Sequence, residues 1–252
     1  MAKHFIAFIV ILGIYNPTYA QTSSISGVIN SYVKVVNLGS GSCIDTIFVT
    51  STVGFSVNDS VMIIQMQGAL INTSNTASFG SIISYNDAGN YEFGCIKSIG
   101  SNFFVLKSYL KRTYTPSGAL QLVRIPVYNN VNVNGILTSS PWNGNTGGVL
   151  AFFASGTVTL NADINVSGSG FKGGLGVNGN FDCGKMDYFY PLGSLHGGRK
   201  GEGITAAINS QALGRGALAN GGGGGNNNNA GGGGGSNNTL GGKGGEQVIY
   251  GT

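Results

Sequence analysis

The clearest structural signal in this chain is the stretch Val131-Asn132-Val133-Asn134-Gly135-Ile136-Leu137, in which aliphatic and polar residues alternate. A period of two places successive side chains on opposite faces of a β-strand. Similar short runs follow at residues 148–154, 156–160 and 162–168, with glycine or asparagine at the corners. Such runs are typical of a parallel β-solenoid, in which each rung buries alternate aliphatic residues. The spacing does not define a fixed repeat, so a continued sandwich stays open as the alternative.

A different pattern precedes this stretch, from about residue 22 to residue 130. Short runs of β-branched and aromatic residues are separated by Gly, Asn and Ser, which predicts an antiparallel barrel or sandwich. Pro126 lies in the last run and indicates an edge strand or a strand end. The predicted strands occupy residues 29–36, 44–49, 60–67, 81–85, 91–99, 103–106 and 119–128.

The sequence therefore predicts an all-β chain with two regions after its N-terminal segment. The first is a small antiparallel β-barrel or sandwich at residues 21–130. The second is a β-solenoid-like region with glycine- and asparagine-rich loops at residues 131–252.

The composition favours an extracellular β protein. Charged residues make up 9% of the chain, against about 25% in soluble globular proteins. Glycine contributes 45 of the 252 residues, yet 41% of the chain is hydrophobic, so the chain as a whole is not of the disordered class. The net charge of +4 is thinly spread, with adjacent basic pairs at Lys111-Arg112 and Arg199-Lys200. Nucleic-acid binding needs a dense basic face, so this class of partner is not expected.

The first twenty residues have the pattern of a secretory signal peptide. Lys3 precedes the apolar run 5–15, and small residues follow near Ala20. We expect cleavage between Ala20 and Gln21. The apolar run is shorter than the roughly 20 residues that a membrane span needs. A secreted or cell-surface protein without a transmembrane segment is therefore predicted.

Export to an oxidising compartment would permit disulfide bonds between the three cysteines. None of them forms a Cys-x-x-Cys pair, so a zinc site has no support. Cys43 and Cys95 both lie in the predicted antiparallel region, and a bridge between them is favoured. Cys183 would then be unpaired or matched to a cysteine outside this chain. The alternative is that all three are small buried hydrophobic residues.

Glycine dominates the chain beyond Phe171, with runs at residues 221–225 and 231–235 around the asparagines 226–229. Low-complexity glycine commonly forms a flexible linker. Long glycine runs can instead pack side by side as extended, polyproline II-like segments with hydrogen bonds between neighbours, because only glycine permits such close approach. Both interpretations stay open at the level of sequence.

Residues able to catalyse are scarce. After removal of the signal peptide His196 is the remaining histidine, and its glycine-flanked position predicts a surface loop. Asp182 and Asp187, with Lys185, form the one local cluster of acidic residues, and a glycosidase needs two carboxylates across a cleft. We predict no catalytic residues and keep this cluster as the candidate for a polysaccharide-cleaving alternative.

No cofactor or metal is predicted either. Residues 168–173 match the dinucleotide fingerprint Gly-x-Gly-x-x-Gly, but no helix-forming sequence follows to place a helix N-terminus under a pyrophosphate. These glycines are better interpreted as a turn between rungs. The glycine runs carry Asn where a calcium loop would need Asp.

A longer stretch gives a family resemblance. Residues 53–68, Val-Gly-Phe-Ser-Val-Asn-Asp-Ser-Val-Met-Ile-Ile-Gln-Met-Gln-Gly, resemble the GFxxGDxVxxIQMxG segment of large secreted Bacteroidota proteins, which are exported by the type IX secretion system. Asn58 replaces the usual glycine of that motif, a change that a turn tolerates. Further similar stretches are residues 91–93, 141–144 with 147–149, 200–204 and 214–225.

The resemblance implies a location at the cell surface or in the medium, and it implies no catalytic residues. Such proteins end in a C-terminal sorting domain, which this chain lacks, so we expect an N-terminal fragment of a longer protein or a truncated reading frame. The resemblance also implies O-glycosylation at Asp-[Ser/Thr]-aliphatic sites. Thr46 and Ser60 stand in such sites, and two ordinary turn-to-strand junctions are the alternative.

Three functional hypotheses follow. The first is a secreted or cell-surface structural, adhesin-like region that makes multivalent contacts with glycans or other surface components through its Gly/Asn loops. The second is a carbohydrate-binding or polysaccharide-degrading β-helix protein. The third is a segment that spaces or caps a functional domain beyond residue 252.

Overall fold

The computed structural model describes residues 21–178, 186–226, 230–236, 241–242 and 244. This part of the chain is built from β-strands, with two single 3-10 turns at Pro116–Gly118 and Asn209–Gln211. The predicted all-β fold is confirmed. The strands are β1 (Thr22–Val28), β2 (Tyr32–Leu38), β3 (Thr46–Val49), β4 (Ser60–Gln65), β5 (Leu70–Ile71), β6 (Ile82–Ser84), β7 (Tyr91–Ile99), β8 (Phe103–Leu106), β9 (Leu120–Ile125), β10 (Val127–Tyr128), β11 (Asn130–Thr138), β12 (Phe153–Ala154) and β13 (Val158–Leu160).

Six strands close into an antiparallel barrel in the order β2-β3-β8-β7-β4-β9. Alternate residues of these strands point inward because side chains alternate across a strand. The barrel interior contains, among others, the fully buried residues Val35, Ile47, Ile96, Phe104, Leu120 and Leu122. Pro126 separates β9 from β10, which confirms the strand end expected there.

The first strand differs from the sequence expectation. β1 does not join the barrel; it pairs in parallel with β11, with Thr22 opposite Asn130 and Ile25 opposite Val133. The barrel is therefore an insertion between two neighbouring strands of the solenoid-like region. The residues of β1 carry no local pattern that distinguishes a barrel strand from a solenoid strand. The partner of β1 depends on how the barrel between β1 and β11 closes.

The solenoid-like region consists of parallel ladders. One sheet has the order β1-β11-β13, and β10 pairs in parallel with β12. Val131 lies opposite Val158, and Leu137 forms a parallel bridge to Ile164. The side chains also stack, since Asn161 Nδ2 donates to Asn134 Oδ1 over a separation of 27 residues. Successive rungs are thus offset by about 27 residues here, a regularity that the sequence alone did not reveal.

The barrel and the solenoid-like region share an apolar interface. The barrel residues Met62, Val123 and Ile125 are buried beneath Val149 and Ala151. Two polar side chains hold the covering segment in place, one just before β2 and one at its start. Asn30 donates to Ala151 O (2.6 Å) and accepts from Ala151 N (3.1 Å), and the hydroxyl of Tyr32 donates to Val149 O (2.6 Å).

The glycine-rich segments pack side by side in the described chain. Gly201 N donates to Gly222 O (2.7 Å), Gly224 N to Gly214 O (2.9 Å) and Gly233 N to Gly223 O (2.8 Å). This arrangement, called here the glycine bundle, comprises residues 172–176, 198–203, 212–217, 220–226 and 231–236. These residues therefore adopt the ordered side-by-side packing rather than a flexible linker.

Candidate functional site

A surface groove of about 640 Å³ lies over the glycine bundle. Most of its lining is main chain, because glycine supplies ten of the sixteen lining residues. The side chains on its walls come from Phe171, Lys172, Arg199, Glu202, Asn220 and Ser236. Two other surface depressions are lined mainly by residues other than glycine: one of about 530 Å³ lies between the barrel and residues 143–146, and one of about 460 Å³ lies on the barrel. The groove is the candidate site.

One wall of the groove begins where the solenoid-like region ends. Gly168 has φ +72°, a conformation that glycine adopts without strain, and it turns the chain into residues 169–174. Trp142 N donates to Ser169 O (2.8 Å), and the ring of Phe171 packs edge-on against Trp142, with centroids 5.6 Å apart. Phe171 is half-buried and presents an apolar surface to the groove.

The charged groups of the groove are two cations and one carboxylate. Lys172 and Arg199 are exposed, whereas Glu202 is half-buried. Glu202 is hydrogen-bonded to the main chain of Lys172 on the opposite wall through both its side chain and its main chain. Its Oε2 accepts from Lys172 N (3.0 Å), and its N–H donates to Lys172 O (2.8 Å). The carboxylate is thus engaged with the main chain, while the two cationic side chains extend toward solvent.

Glycine is required in the floor of the groove because neighbouring segments approach too closely for a side chain. A Cβ placed on Gly223 would overlap the carbonyl of Arg215, and one on Gly224 would overlap the carbonyl of Gly198. Asn220 crosslinks the floor, since its Oδ1 accepts from Ile204 N (2.8 Å).

Lys200 supports the bundle from beneath. It is 7% exposed, and its Nζ donates to the carbonyls of Tyr188 (2.6 Å) and Gly216 while lying 4.0 Å from the centroid of the Phe79 ring. Burial lowers the pKa of this amine from 10.5 to about 7. Arg215 similarly stacks on Tyr188, with Cζ 4.1 Å from the ring centroid.

Of the predicted acidic cluster, Asp187 is the one member among the described residues. Asp187 accepts a hydrogen bond from Asn75 Nδ2 (2.7 Å), and this contact ties it to the loop after β5. Asp182, Cys183 and Lys185 lie outside the described residues. His196 is half-buried, with its ring 5.7 Å from that of Tyr190. Across the described residues, no group of three or more His, Cys, Asp or Glu side chains could hold a metal ion.

The two described cysteines are free thiols rather than the expected Cys43–Cys95 pair. Cys43 is exposed in the loop before β3, whereas Cys95 on β7 is half-buried, with Sγ 3.6 Å from Asn58 O. In the barrel order, β8 lies between β3 and β7. This topology separates the strand that follows Cys43 from the strand that carries Cys95.

The two hydroxyls of the predicted glycosylation sites are half-buried at strand starts. Thr46 begins β3, and its Oγ1 donates to Asp45 Oδ1 (2.9 Å), while Ser60 begins β4. Gln21, on the mature side of the predicted signal cleavage, is exposed. Ala20 lies outside the described residues. Glycosylation and cleavage stay predictions.

The groove has no signature in the sequence. Arg199 belongs to a basic pair and residues 168–173 match a glycine turn, but no local pattern links the two. Lys172 and Glu202 are separated by 30 residues. Their proximity depends on the packing of glycine segments that carry no side-chain pattern.

Comparison with known proteins places the chain near no established family. No family model and no curated protein matches it. Among solved structures it is similar to the tailspike protein gp49 from Pseudomonas phage LKA1, with 15% identity, a TM-score of 0.26, and coverage of 57% of this chain and 23% of the tailspike. The tailspike gp61 of Pseudomonas phage phi297 gives 11% identity, a TM-score of 0.30 and coverage of 56% and 23%.

A third similar structure is the gp54 tailspike of Acinetobacter baumannii bacteriophage AP22, determined in complex with A. baumannii capsular saccharide. It gives 11% identity, a TM-score of 0.27 and coverage of 56% of this chain and 28% of that chain. The matched part of this chain therefore spans about a quarter of the length of each of these structures. In the described part of the chain, no helix has the length and hydropathy required to cross a membrane.

Proposed function

We propose that this chain is a secreted or cell-surface structural, adhesin-like region that binds glycan chains in the groove over its glycine bundle, without cleaving them. The observation that carries the proposal is the lining of the groove, which combines glycine main chain with Lys172, Arg199 and Glu202.

The main-chain lining suits a ligand rich in hydroxyl groups. Peptide N–H and C=O groups are strong hydrogen-bonding groups, and each sugar hydroxyl can both donate and accept. A glycine wall puts no side chain in front of these groups, and a carbonyl that already accepts one hydrogen bond within the bundle, such as that of Gly223, has a second lone pair for a sugar hydroxyl. The volume of about 640 Å³ falls within the range of small-ligand sites, about 300–1,000 Å³.

The charges favour an acidic sugar. Lys172 and Arg199 are exposed at the groove, and the one carboxylate there, Glu202, is already bonded to main-chain N–H. The groove therefore offers a net positive charge to a uronic acid or another anionic sugar. An arginine can bind a carboxylate through two parallel hydrogen bonds.

The same lining argues against hydrolysis at this groove. Glycoside hydrolysis ordinarily uses a pair of carboxylates on either side of the scissile bond. Glu202 is the single carboxylate among the groove residues. Weak binding at each copy, repeated over a surface, is how such a groove would contribute to adhesion.

The test is binding of immobilised acidic and neutral polysaccharides by the purified chain. We expect binding of the acidic polymers that weakens with added salt. The double variant Lys172→Ala/Arg199→Ala should lose at least about tenfold in affinity, since each charge-assisted hydrogen bond contributes about 1.5–3 kcal/mol. The matched control is Lys97→Ala/Arg112→Ala, which removes two exposed cations from the barrel.

Equal losses in the two double variants would mean that binding is non-specific and would contradict the groove. Release of reducing sugar by the wild type would support the enzyme alternative. In that case Asp182→Ala and Asp187→Ala should abolish turnover.

A further inference from the structure

Phe171 is the one apolar side chain among the described residues that line the groove. The rest of the lining is glycine main chain together with polar and charged side chains. Binding of hydroxyl groups and of negative charge requires no aromatic ring. The position of Phe171 in this otherwise polar groove therefore needs a separate explanation.

The ring of Phe171 rests on a rigid base. Trp142 is 2% exposed, and its ring lies 5.6 Å from that of Phe171 at an interplanar angle of 88°. Ser169, two residues before Phe171, is also buried, and its carbonyl accepts from Trp142 N (2.8 Å). An edge-on contact leaves at least one face of the Phe171 ring uncovered by Trp142. A ring held in this way loses little conformational freedom when a ligand binds to it.

An uncovered aromatic face suits the apolar face of a sugar ring. A pyranose chair gathers several of its C–H bonds on one face, and the face of an aromatic ring carries the negative end of its quadrupole, which attracts them. The hydroxyl groups of the sugar stay at the rim of its ring, where main-chain N–H and C=O groups can bond to them. A flexible polyanion without rings has no such face.

We propose that Phe171 stacks on the C–H face of a hexuronic acid ring whose carboxylate is bound by Lys172 and Arg199. This inference rests on the glycan binding proposed above and names the sugar class. A hexuronic acid carries its carboxylate directly on the ring, so one sugar unit makes both contacts. Phe171 is then the residue that restricts the groove to carboxylated pyranoses rather than to polyanions in general.

The test compares polygalacturonate with polyacrylate, which carries the same carboxylate groups but no sugar ring. Because the two polymers differ in charge density, variants are compared on each polymer separately. Phe171→Leu keeps apolar bulk but removes the flat ring, so its affinity for polygalacturonate should fall at least about fivefold. Its affinity for polyacrylate should stay that of the wild type. Phe171→Tyr keeps the ring and should retain both affinities.

The matched control is Phe153→Leu. Phe153 is 40% exposed, and its ring lies edge-on to that of Phe93, with centroids 5.1 Å apart, away from the groove. This variant should bind both polymers as the wild type does. Trp142 is the single tryptophan of the chain, so its fluorescence reports whether the base beneath Phe171 is intact in each variant.

The same fluorescence keeps the proposal testable if Phe171→Leu does not fold. Polygalacturonate should change the emission of Trp142 in the wild type, because the bound sugar contacts the ring packed against it. Polyacrylate should leave that emission unchanged. Equal changes with the two polymers, or no change with polygalacturonate, would contradict the stacking.

The failure of this inference can be told from the failure of the proposed function. If polygalacturonate binding depends on Lys172 and Arg199 but is unaffected in Phe171→Leu, the stacking is wrong and the charged groove stands. Equal losses for both polymers in Phe171→Leu, or an equal loss in Phe153→Leu, would also overturn the stacking. If the wild type binds neither polymer, both the stacking and the proposed function are wrong.

Discussion

The side-chain amide of Gln121 forms a closed pair of hydrogen bonds with the main chain of Gly147. Nε2 donates to Gly147 O (3.0 Å), and Oε1 accepts from Gly147 N (2.9 Å). Gln121 lies on β9 and is fully buried, and Gly147 begins the segment that covers the outside of the barrel. The side chain of Gln121 thus makes the donor and acceptor pair that a neighbouring strand would otherwise make, and it joins the barrel to the solenoid-like region.

Replacing Gln121 with Leu should destabilise the chain. The substitution keeps the volume approximately but leaves the N–H and C=O of Gly147 without their partners. An unsatisfied buried polar group costs about 1–3 kcal/mol, so we expect a loss of at least that size in the free energy of unfolding, measured by urea denaturation. Gln21→Leu, at an exposed position, is the control and should change stability by less than about 0.5 kcal/mol.

Gly224→Ala tests the packing of the glycine bundle. The added methyl group would overlap the carbonyl of Gly198, so the neighbouring segments must move apart. Overpacking costs about 1–3 kcal/mol, and we expect a loss of that order in thermal or urea unfolding. Gly176→Ala is the matched control, since its Cβ would meet no atom within 4 Å. Similar stabilities of the two variants would show that the bundle is looser than described.

Lys200 should make stability depend on pH. Because burial lowers its pKa in the folded chain from 10.5 to about 7, the folded chain holds fewer protons than the unfolded chain between these two values. The free energy of unfolding therefore rises with pH across that interval. Below about pH 7 this dependence ends, because both states then hold the proton.

The comparison is wild type against Lys200→Met in urea unfolding between about pH 7 and 9, below the titration of tyrosine. The variant should be less stable throughout, since the carbonyls of Tyr188 and Gly216 lose their donor, and its stability should rise less steeply with pH. Lys97→Met, at an exposed position, should keep the wild-type slope. An unchanged slope in Lys200→Met would contradict a lowered pKa.

The two thiols should differ in reactivity. Cys43 is exposed and Cys95 is half-buried, so a maleimide should label Cys43 first in the native chain without prior reduction. Peptide mapping by mass spectrometry reads out the order. If neither cysteine reacted until a reductant was added, the result would contradict the free thiols and support a Cys43–Cys95 bridge.

The predicted glycosylation can be checked by intact mass of the chain exported from its native host. We expect added sugar mass that is lost at the corresponding site in Thr46→Ala and Ser60→Ala variants. The exported chain at its unmodified mass would contradict the prediction for both residues.

Much of the β architecture could be predicted from the sequence. The runs at residues 91–99 and 103–106 coincide with β7 and β8, and Pro126 does end a strand. These features are local, because an alternating pattern or a proline determines the backbone conformation of the same residues that carry it. The groove could not be predicted in this way, because Lys172, Arg199 and Glu202 are brought together by segments whose glycines have no distinguishing side chains.

The sequence by itself determined that this chain forms strands rather than helices, because alternating β-branched residues and abundant glycine specify extended backbone position by position. Only the tertiary structure decided that β1 pairs with β11 across the whole barrel and that the glycine runs pack as a bundle. It also decided that Val133 is fully buried while its partner on β13, Leu160, is 59% exposed. The physical reason is that strand partners and burial depend on which distant segments meet, and that outcome is settled by the joint packing of barrel and solenoid, not by any one stretch of residues.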